Sequence, residues 1–115
     1  MATRPEFAQF ITEQLGGAAH GVTCRKMFGE YGLHCYGKFF ALICDDTLFL
    51  KPTRAAEALL AARDALTPAP PYDSAGDYYR IDCPDDRELL LALLEATVNE
   101  LPAPKPKRKK RGSRP

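Results

Sequence analysis

The stretch RKMFGEYGLHCYGKFFALICDDTLFLKP, residues 25–52, decides the fold. It crowds apolar residues, glycines, two cysteines, a histidine and several charges into one run, as a reactive centre would. Its spacing says otherwise. With Val22-Thr23-Cys24 just ahead of it, it divides into VTCRKMF, YGLHCY, FFALICD and TLFLK. These are short and rich in β-branched and aromatic residues, with Gly29-Glu30, Tyr36-Gly37-Lys38 and Asp45-Asp46 as turn signals between them. Connections this short join only antiparallel neighbours, so the stretch is expected to be a four-strand meander. Alternation puts Leu33 and Cys35 on one face of the second strand. In the third it puts Phe40, Leu42 and Cys44 on one face, with Phe39, Ala41 and Ile43 opposite. Leu48 and Leu50 share a face of the fourth.

Helical periods flank the meander. Phe7, Phe10, Ile11 and Leu15 make an apolar stripe over Pro5–Leu15, with Thr3 as the expected cap and Gly16-Gly17 as the stop. Pro52-Thr53 opens a second helix near Arg54–Ala65, with Ala56, Leu59, Leu60 and Arg63 along one side. TPAPPYDSAGD (67–77) reads as a loop, because its prolines and glycine break regular structure. YYRID is a fifth strand. Pro84-Asp85-Asp86 begins the last helix with acids at its positive end, and Leu90, Leu93, Leu94, Val98 and Leu101 supply its stripe. The order α-β-β-β-β-α-β-α predicts an α+β domain, a two-layer sandwich of antiparallel sheet and helices. Phe39, Ala41 and Ile43 make the second sheet face apolar as well, which points to a partner chain over it and to a homodimer.

The 115 residues, 45% of them apolar, suit one domain with a modest core. No apolar run approaches the roughly 20 residues that span a membrane. The N-terminus MATRPEFAQF lacks the pattern of a secretory signal. A cytoplasmic protein without membrane contact is the expectation. The net charge of +1 hides an asymmetry. Lys105, Lys107, Arg108, Lys109, Lys110, Arg111 and Arg114 fall after Ala103 with no acid among them. Removing those seven from the sixteen lysines and arginines leaves nine against fifteen acids, so residues 1–102 carry −6. The expected organisation is a folded unit over residues 1–102 and a disordered basic tail over 103–115, too polar and proline-broken to fold alone. Like-charge runs of this kind commonly serve as interaction arms, and this one has salt-dependent, sequence-blind affinity for nucleic acid as its functional reading. No groove-reading motif accompanies it.

The chemistry-bearing residues have competing readings. Cys24, His34, Cys35 and Cys44 are the right ligand types for zinc. They show no Cys-x-x-Cys or His-x-x-x-His spacing, and the adjacent His34 and Cys35 point to opposite faces of a strand. Without an export signal, Cys24, Cys35, Cys44 and Cys83 read as reduced, mostly buried thiols. A Cys–His enzyme needs a base in reach of the thiol and usually a third, orienting group. Neither His20 nor His34 announces one, and Gly29-x-x-Gly32 is too sparse for a phosphate-cradling loop. No cofactor is expected.

The same central stretch, with YYRIDCPDD further on, resembles the N-terminal domain of the TfoX/Sxy proteins. The residues that carry the resemblance are Arg25, Met27, Phe28, Gly29, Tyr31, Gly32, Gly37, Phe40, Ala41, Asp46, Leu48, Leu50, Lys51, Tyr78 and Tyr79. It spans roughly residues 5–101 in length and element order. The resemblance implies an α+β sandwich on an antiparallel sheet and a non-enzymatic role. Full-length members regulate competence and related transcription in bacteria as helpers of a DNA-binding activator. They carry a helical C-terminal domain, whereas this chain has only the basic tail after Leu101, and its loop PAPPYDSAGD lacks the Pro-Phe pair and methionine frequent in the family. The resemblance thus implies a regulatory or protein-interaction module whose partner is a protein such as a transcription regulator. Arg25, Met27, Phe28, Gly29, Tyr31, Gly32, Gly37, Asp46, Lys51, Tyr78 and Tyr79 are its candidate interaction surface. The alternatives are a small metal-binding or Cys/His-dependent enzyme and a structural subunit of a larger assembly.

Overall fold

Two-residue left-handed turns fold the central stretch back on itself. Tyr36 (φ 47°) and Gly37 (φ 85°) join β2 (Glu30–Cys35) to β3 (Lys38–Cys44), and Asp45 (φ 51°) and Asp46 (φ 56°) join β3 to β4 (Thr47–Leu50). Positive φ at both central positions gives a turn whose twist matches that of the flanking strands. Gly37 adopts it freely, and aspartate tolerates it better than most side chains. With β1 (Val22–Met27) paired to β2, the four strands form the expected meander. The structure, a computed structural model, describes residues 3–27, 30–72 and 75–102.

The sheet continues beyond the meander. β6 (Tyr78–Ile81) pairs with β4, and β5 (Pro68–Ala69) pairs with β6, giving an open antiparallel sheet in the order β1-β2-β3-β4-β6-β5. β5 lies in the segment read as loop. It is two residues long and sits at the sheet edge, where proline's missing N–H leaves no ladder bond unmade.

Three helices cover one face, so the fold is the expected α+β type. α1 (Pro5–Gln14) contributes Ala8 and Ile11, α2 (Arg54–Ala62) Ala56 and Leu60, and α3 (Arg87–Glu100) Leu89, Leu90, Leu93 and Leu94. They bury these against Val22, Leu33, Cys35, Phe40, Ala41, Ile43, Leu48, Leu50 and Ile81 of the sheet. Phe10, placed in the stripe of α1 by spacing, is instead exposed. Ala8, one turn before Ile11 on the buried side, takes its place. None of the described helices is long and apolar enough to cross a membrane.

The division of β3 between faces differs from simple alternation. Leu33 pairs with Ala41 and the next residue, His34, pairs with Phe39, so Phe40 is the extra residue of a β-bulge. The bulge resets the period. Phe40 joins Ala41 and Ile43 in the helix-side core, while Leu42 and Cys44 join Phe39 on the other face. Phe40, fully buried, thereby becomes a central core residue.

Carboxylates tie distant segments together. Thr3 does not cap α1; its hydroxyl accepts the Asp46 N–H at 3.1 Å. Asp46 accepts Arg4 N–H (2.8 Å) and Arg4 Nε (3.1 Å), and Glu30 accepts Thr3 N–H (2.9 Å) and Asp45 N–H (3.3 Å). The segment before α1 is thus held to the β3–β4 turn. At the other end of the chain, Glu100 accepts the N–H groups of Arg54 (2.8 Å) and Ala55 (3.0 Å), closing α3 onto the start of α2. Thr53 caps the same helix through Ala56 N–H (3.2 Å).

The two backbone donors at α2 hold the Glu100 carboxyl below its ordinary value. A depressed carboxylate stabilises the fold above the unfolded-state pKa of about 4.3, and that stabilisation is lost as pH falls through the lower folded-state value. Glu100→Gln keeps an acceptor and removes the charge. The melting temperature of this variant is therefore expected to fall less steeply than that of the parent between about pH 5 and 3; parallel slopes would exclude Glu100 as a contributor.

Candidate functional site

The helix-free face of the sheet gathers side chains that the helix-side core does not use. Cross-strand pairs share a face, so the register lines up Arg25, Gly32, Leu42, Phe49 and Arg80 in one row across five strands. Leu42, Cys44 and Phe49 form a separate apolar cluster, flanked by half-buried Phe39, Ala69 and Tyr78. In the neighbouring row His34 pairs with Phe39 and Tyr78 with Ala69. The rings of His34 and Phe39 lie 5.3 Å apart at 51°, and Lys51 places its ammonium 5.3 Å from the centre of the Phe39 ring. An apolar and aromatic patch bordered by Arg25, Lys51 and Arg80 is the result, with Leu42, Cys44 and Phe49 buried within it.

Gly32 lets this surface close. A Cβ there would lie 2.5 Å from Met27 Sδ and 3.3 Å from Phe39 Cε1. A larger residue there would make the flexible Met27 side chain shift and the Phe39 ring give by a few tenths of an ångström. Among the described residues no carboxylate pairs with Arg25 or Lys51, whereas Arg80 Nε is bonded to Asp82 at 2.8 Å.

The structure separates the candidate surface residues into groups. Arg25, Met27, Gly32, Lys51 and Tyr78 stand on the helix-free face. Tyr31 and Tyr79 pack against the helix-side core. Burial, then the nearby Glu57 and Glu100 carboxylates, raise the Tyr79 phenol. Asp46 belongs to the clasp that holds the N-terminal segment, and Gly37 to the β2–β3 turn. Phe28 and Gly29 lie outside the described residues, as do Lys105, Lys107, Arg108, Lys109, Lys110, Arg111 and Arg114. Sequence reading placed Phe39 on the second sheet face together with Ala41 and Ile43, which belong instead to the helix-side core, and it did not assign Phe49, Arg80 or His34 to this surface. The signal that finds them is the register between strands, with the bulge included.

The cysteines and His34 do not converge. Cys24 and Cys35 face the helices, while His34 and Cys44 are on the opposite face. Among the described residues no three His, Cys, Asp or Glu side chains are grouped to hold a metal ion. All four thiols are free, and burial pushes each of them up. Cys44 reaches about 11 with the Glu30 and Asp45 charges adding to the effect. A thiol at that value is protonated at neutral pH and a poor nucleophile. Burial, then the Arg25 charge, lower the His34 imidazole, which favours its neutral form. Its Nδ1 is buried with no protein partner. On the helix side, a shallow groove of about 460 Å³ runs between Tyr36 and the Leu91, Leu94 and Val98 flank of α3. There the Cys35 thiol donates to the His20 carbonyl at 3.2 Å, an arrangement that supplies no base.

The sequence profile of the TfoX N-terminal domain matches residues 13–101. The chain is also 34% identical over 111 residues to a protein of Spirochaeta aurantia described as an uncharacterized 12.7 kDa protein in the trpE 5' region. The alignment covers 96% of this chain and 93% of that protein.

Proposed function

Because the chain belongs to the TfoX N-terminal domain family, we propose that it is a non-enzymatic, competence-regulator-like module that works by holding a macromolecular partner on the helix-free face of its sheet. The observation that carries this reading is the placement of Arg25 and Lys51. Neither is paired with a carboxylate among the described residues, and both border half-buried rings on a face that no helix covers. Surfaces of this make-up, with an apolar and aromatic centre and charges at the rim, are suited to recognition. Catalysis finds no comparable support, since the thiols are protonated and split between faces.

The test is capture of partners by the full chain under native conditions, with chemical crosslinking, comparing the parent with Arg25→Gln/Lys51→Gln and with Glu13→Gln/Glu88→Gln on the helical side. The reading expects the first variant to lose the partner and the second to keep it. Retention by the first, or loss from both alike, would overturn it. A second copy of this chain counts as a partner, and light scattering of the parent and the face variant identifies that case.

A further inference from the structure

We infer that the outer edge of β1 is a docking site for an extended segment of another protein with adjacent acidic residues, which adds to the six-stranded sheet as a further strand. The site is separate from the helix-free face and shares only Arg25 with it. The first observation is the direction of the backbone. The two-residue turn between β2 and β3 closes on a hydrogen-bonded pair, Cys35 with Lys38. Cys35, Leu33 and Tyr31 thus turn their N–H and C=O groups toward β3. The alternate residues Glu30, Gly32 and His34 turn theirs toward β1, where they meet Met27, Arg25 and Thr23. The Tyr36 N–H, donating to the Gly21 carbonyl at 2.9 Å, continues this alternation past the strand end. The N–H and C=O groups of Val22, Cys24 and Lys26 therefore point away from the sheet. No other backbone group among the described residues bonds to those of Cys24 or Lys26.

The second observation is the contrast between the two edges. Sheets guard their edges with very short strands and proline. The opposite edge has both: β5 is two residues long and begins with Pro68, and Pro70 and Pro71 follow. β1 has six residues, the usual length of a strand. It contains no proline, and Thr23, Arg25 and Lys26 are exposed.

The third is charge, which selects the occupant. Arg25 and Lys26 are adjacent and so stand on opposite faces of the strand. Neither is paired with a carboxylate among the described residues. Glu30 stands opposite Met27, and its two oxygens accept the Thr3 and Asp45 N–H groups. That carboxylate steers the acids of an incoming strand away from the Met27 end and toward Arg25 and Lys26. A second copy of β1 would bring two more cations to an edge that already holds two, so charge opposes self-pairing. A strand with neighbouring acids opposite Arg25 and Lys26 neutralises one cation on each face. Its backbone takes up the outward N–H and C=O groups. Strand addition draws affinity from the main chain and selectivity from the side chains.

The experiment is amide NMR of the isotope-labelled full chain, titrated with a capped octapeptide of sequence TVEEVTVT. In the free protein, exchange with solvent is expected to be fast at the Cys24 and Lys26 amides and slow at those of Thr23 and Arg25. The peptide should shift and protect the first pair. N-methylation of one alternate set of peptide residues should abolish binding, and N-methylation of the other set should leave it. Lysine in place of both glutamates should weaken binding about tenfold. Lys26→Gln should weaken it about two- to fivefold, a difference that shrinks as salt rises. Lys26→Pro removes an outward N–H and costs the free fold no ladder bond; it should weaken binding about tenfold or more. Lys51→Gln, three strands away, should bind as the parent does. Thermal melts confirm that each variant is folded. Absence of shifts at about 1 mM peptide overturns the inference. So do shifts confined to other strands, equal binding of the glutamate and lysine peptides, or full affinity in Lys26→Pro. A dimer seen by light scattering and lost in Lys26→Pro would put a second copy at this edge and overturn it as well. Lys26→Pro leaves Lys51 and the rings of the helix-free face in place, so its outcome is independent of the function proposed for that face.

Discussion

Phe40→Ala is expected to lower the unfolding free energy by about 3–5 kcal/mol, the range for truncating a fully buried phenylalanine. The β-bulge makes this residue critical. Phe40 reaches the helix-side core only because the ladder skips it between the Leu33–Ala41 and His34–Phe39 pairs. There it joins the cluster that the helices bury. Phe39, next in sequence and chemically identical, is half-buried on the other face. Phe39→Ala is expected to cost only about 1–2 kcal/mol, in proportion to the apolar area it hides. Urea unfolding of the two variants measures the difference. Equal losses would contradict the partition of β3 between faces. A domain of this kind has about 5–15 kcal/mol of stability in total, so the first variant is expected to sit near its unfolding threshold.

Asp46→Ala is expected to remove about 2 kcal/mol by two routes. It deletes the acceptors of Arg4 N–H and Arg4 Nε, and it places alanine at φ 56° in the left-handed region. Two further variants separate the routes. Asp46→Gly relieves the backbone but leaves Arg4 without its acceptor. Asp46→Asn tolerates the turn and keeps one acceptor oxygen for the Arg4 N–H. The expected stability order is Asp46, then Asn, then Gly, then Ala. Amide exchange near Arg4 should quicken in the glycine and alanine variants. If glycine matches the parent, the hydrogen bonds contribute nothing and only turn strain matters.

These variants mark the boundary of what the sequence makes legible. The meander can be read because its determinants are local: two-residue turns, alternation and short apolar runs. The helices can be read for the same reason, from stripes recurring every third or fourth residue. The bulge cannot, since one inserted residue leaves the composition of β3 unchanged while moving Phe40 to the opposite face from Leu42. Nor can β5, where proline suggests a loop and only the neighbouring strand makes Pro68-Ala69 part of a sheet. The candidate surface is legible in part. Arg25, Lys51 and Tyr78 stand out in the sequence and alternation already places Phe39 on the second face, but Phe49 and Arg80 require cross-strand register. Asp46 and Glu30 look like surface acids until the fold brings Thr3 and Arg4 to them.

The carboxylate clasps at the two ends of the chain also bear on how the fold is reached. Arg4–Asp46 closes 42 residues and Glu100–Arg54 closes 46, whereas the β2–β3 and β3–β4 hairpins close over two-residue turns. Loop-closure entropy rises with separation, so the hairpins can assemble before either clasp engages. Interactions made after the rate-limiting barrier slow unfolding and leave folding speed nearly unchanged. Asp46 and Glu100 are thus expected to act as latches on a structure already formed, so that Asp46→Ala and Glu100→Gln speed unfolding in denaturant-jump kinetics while leaving the folding rate nearly unchanged.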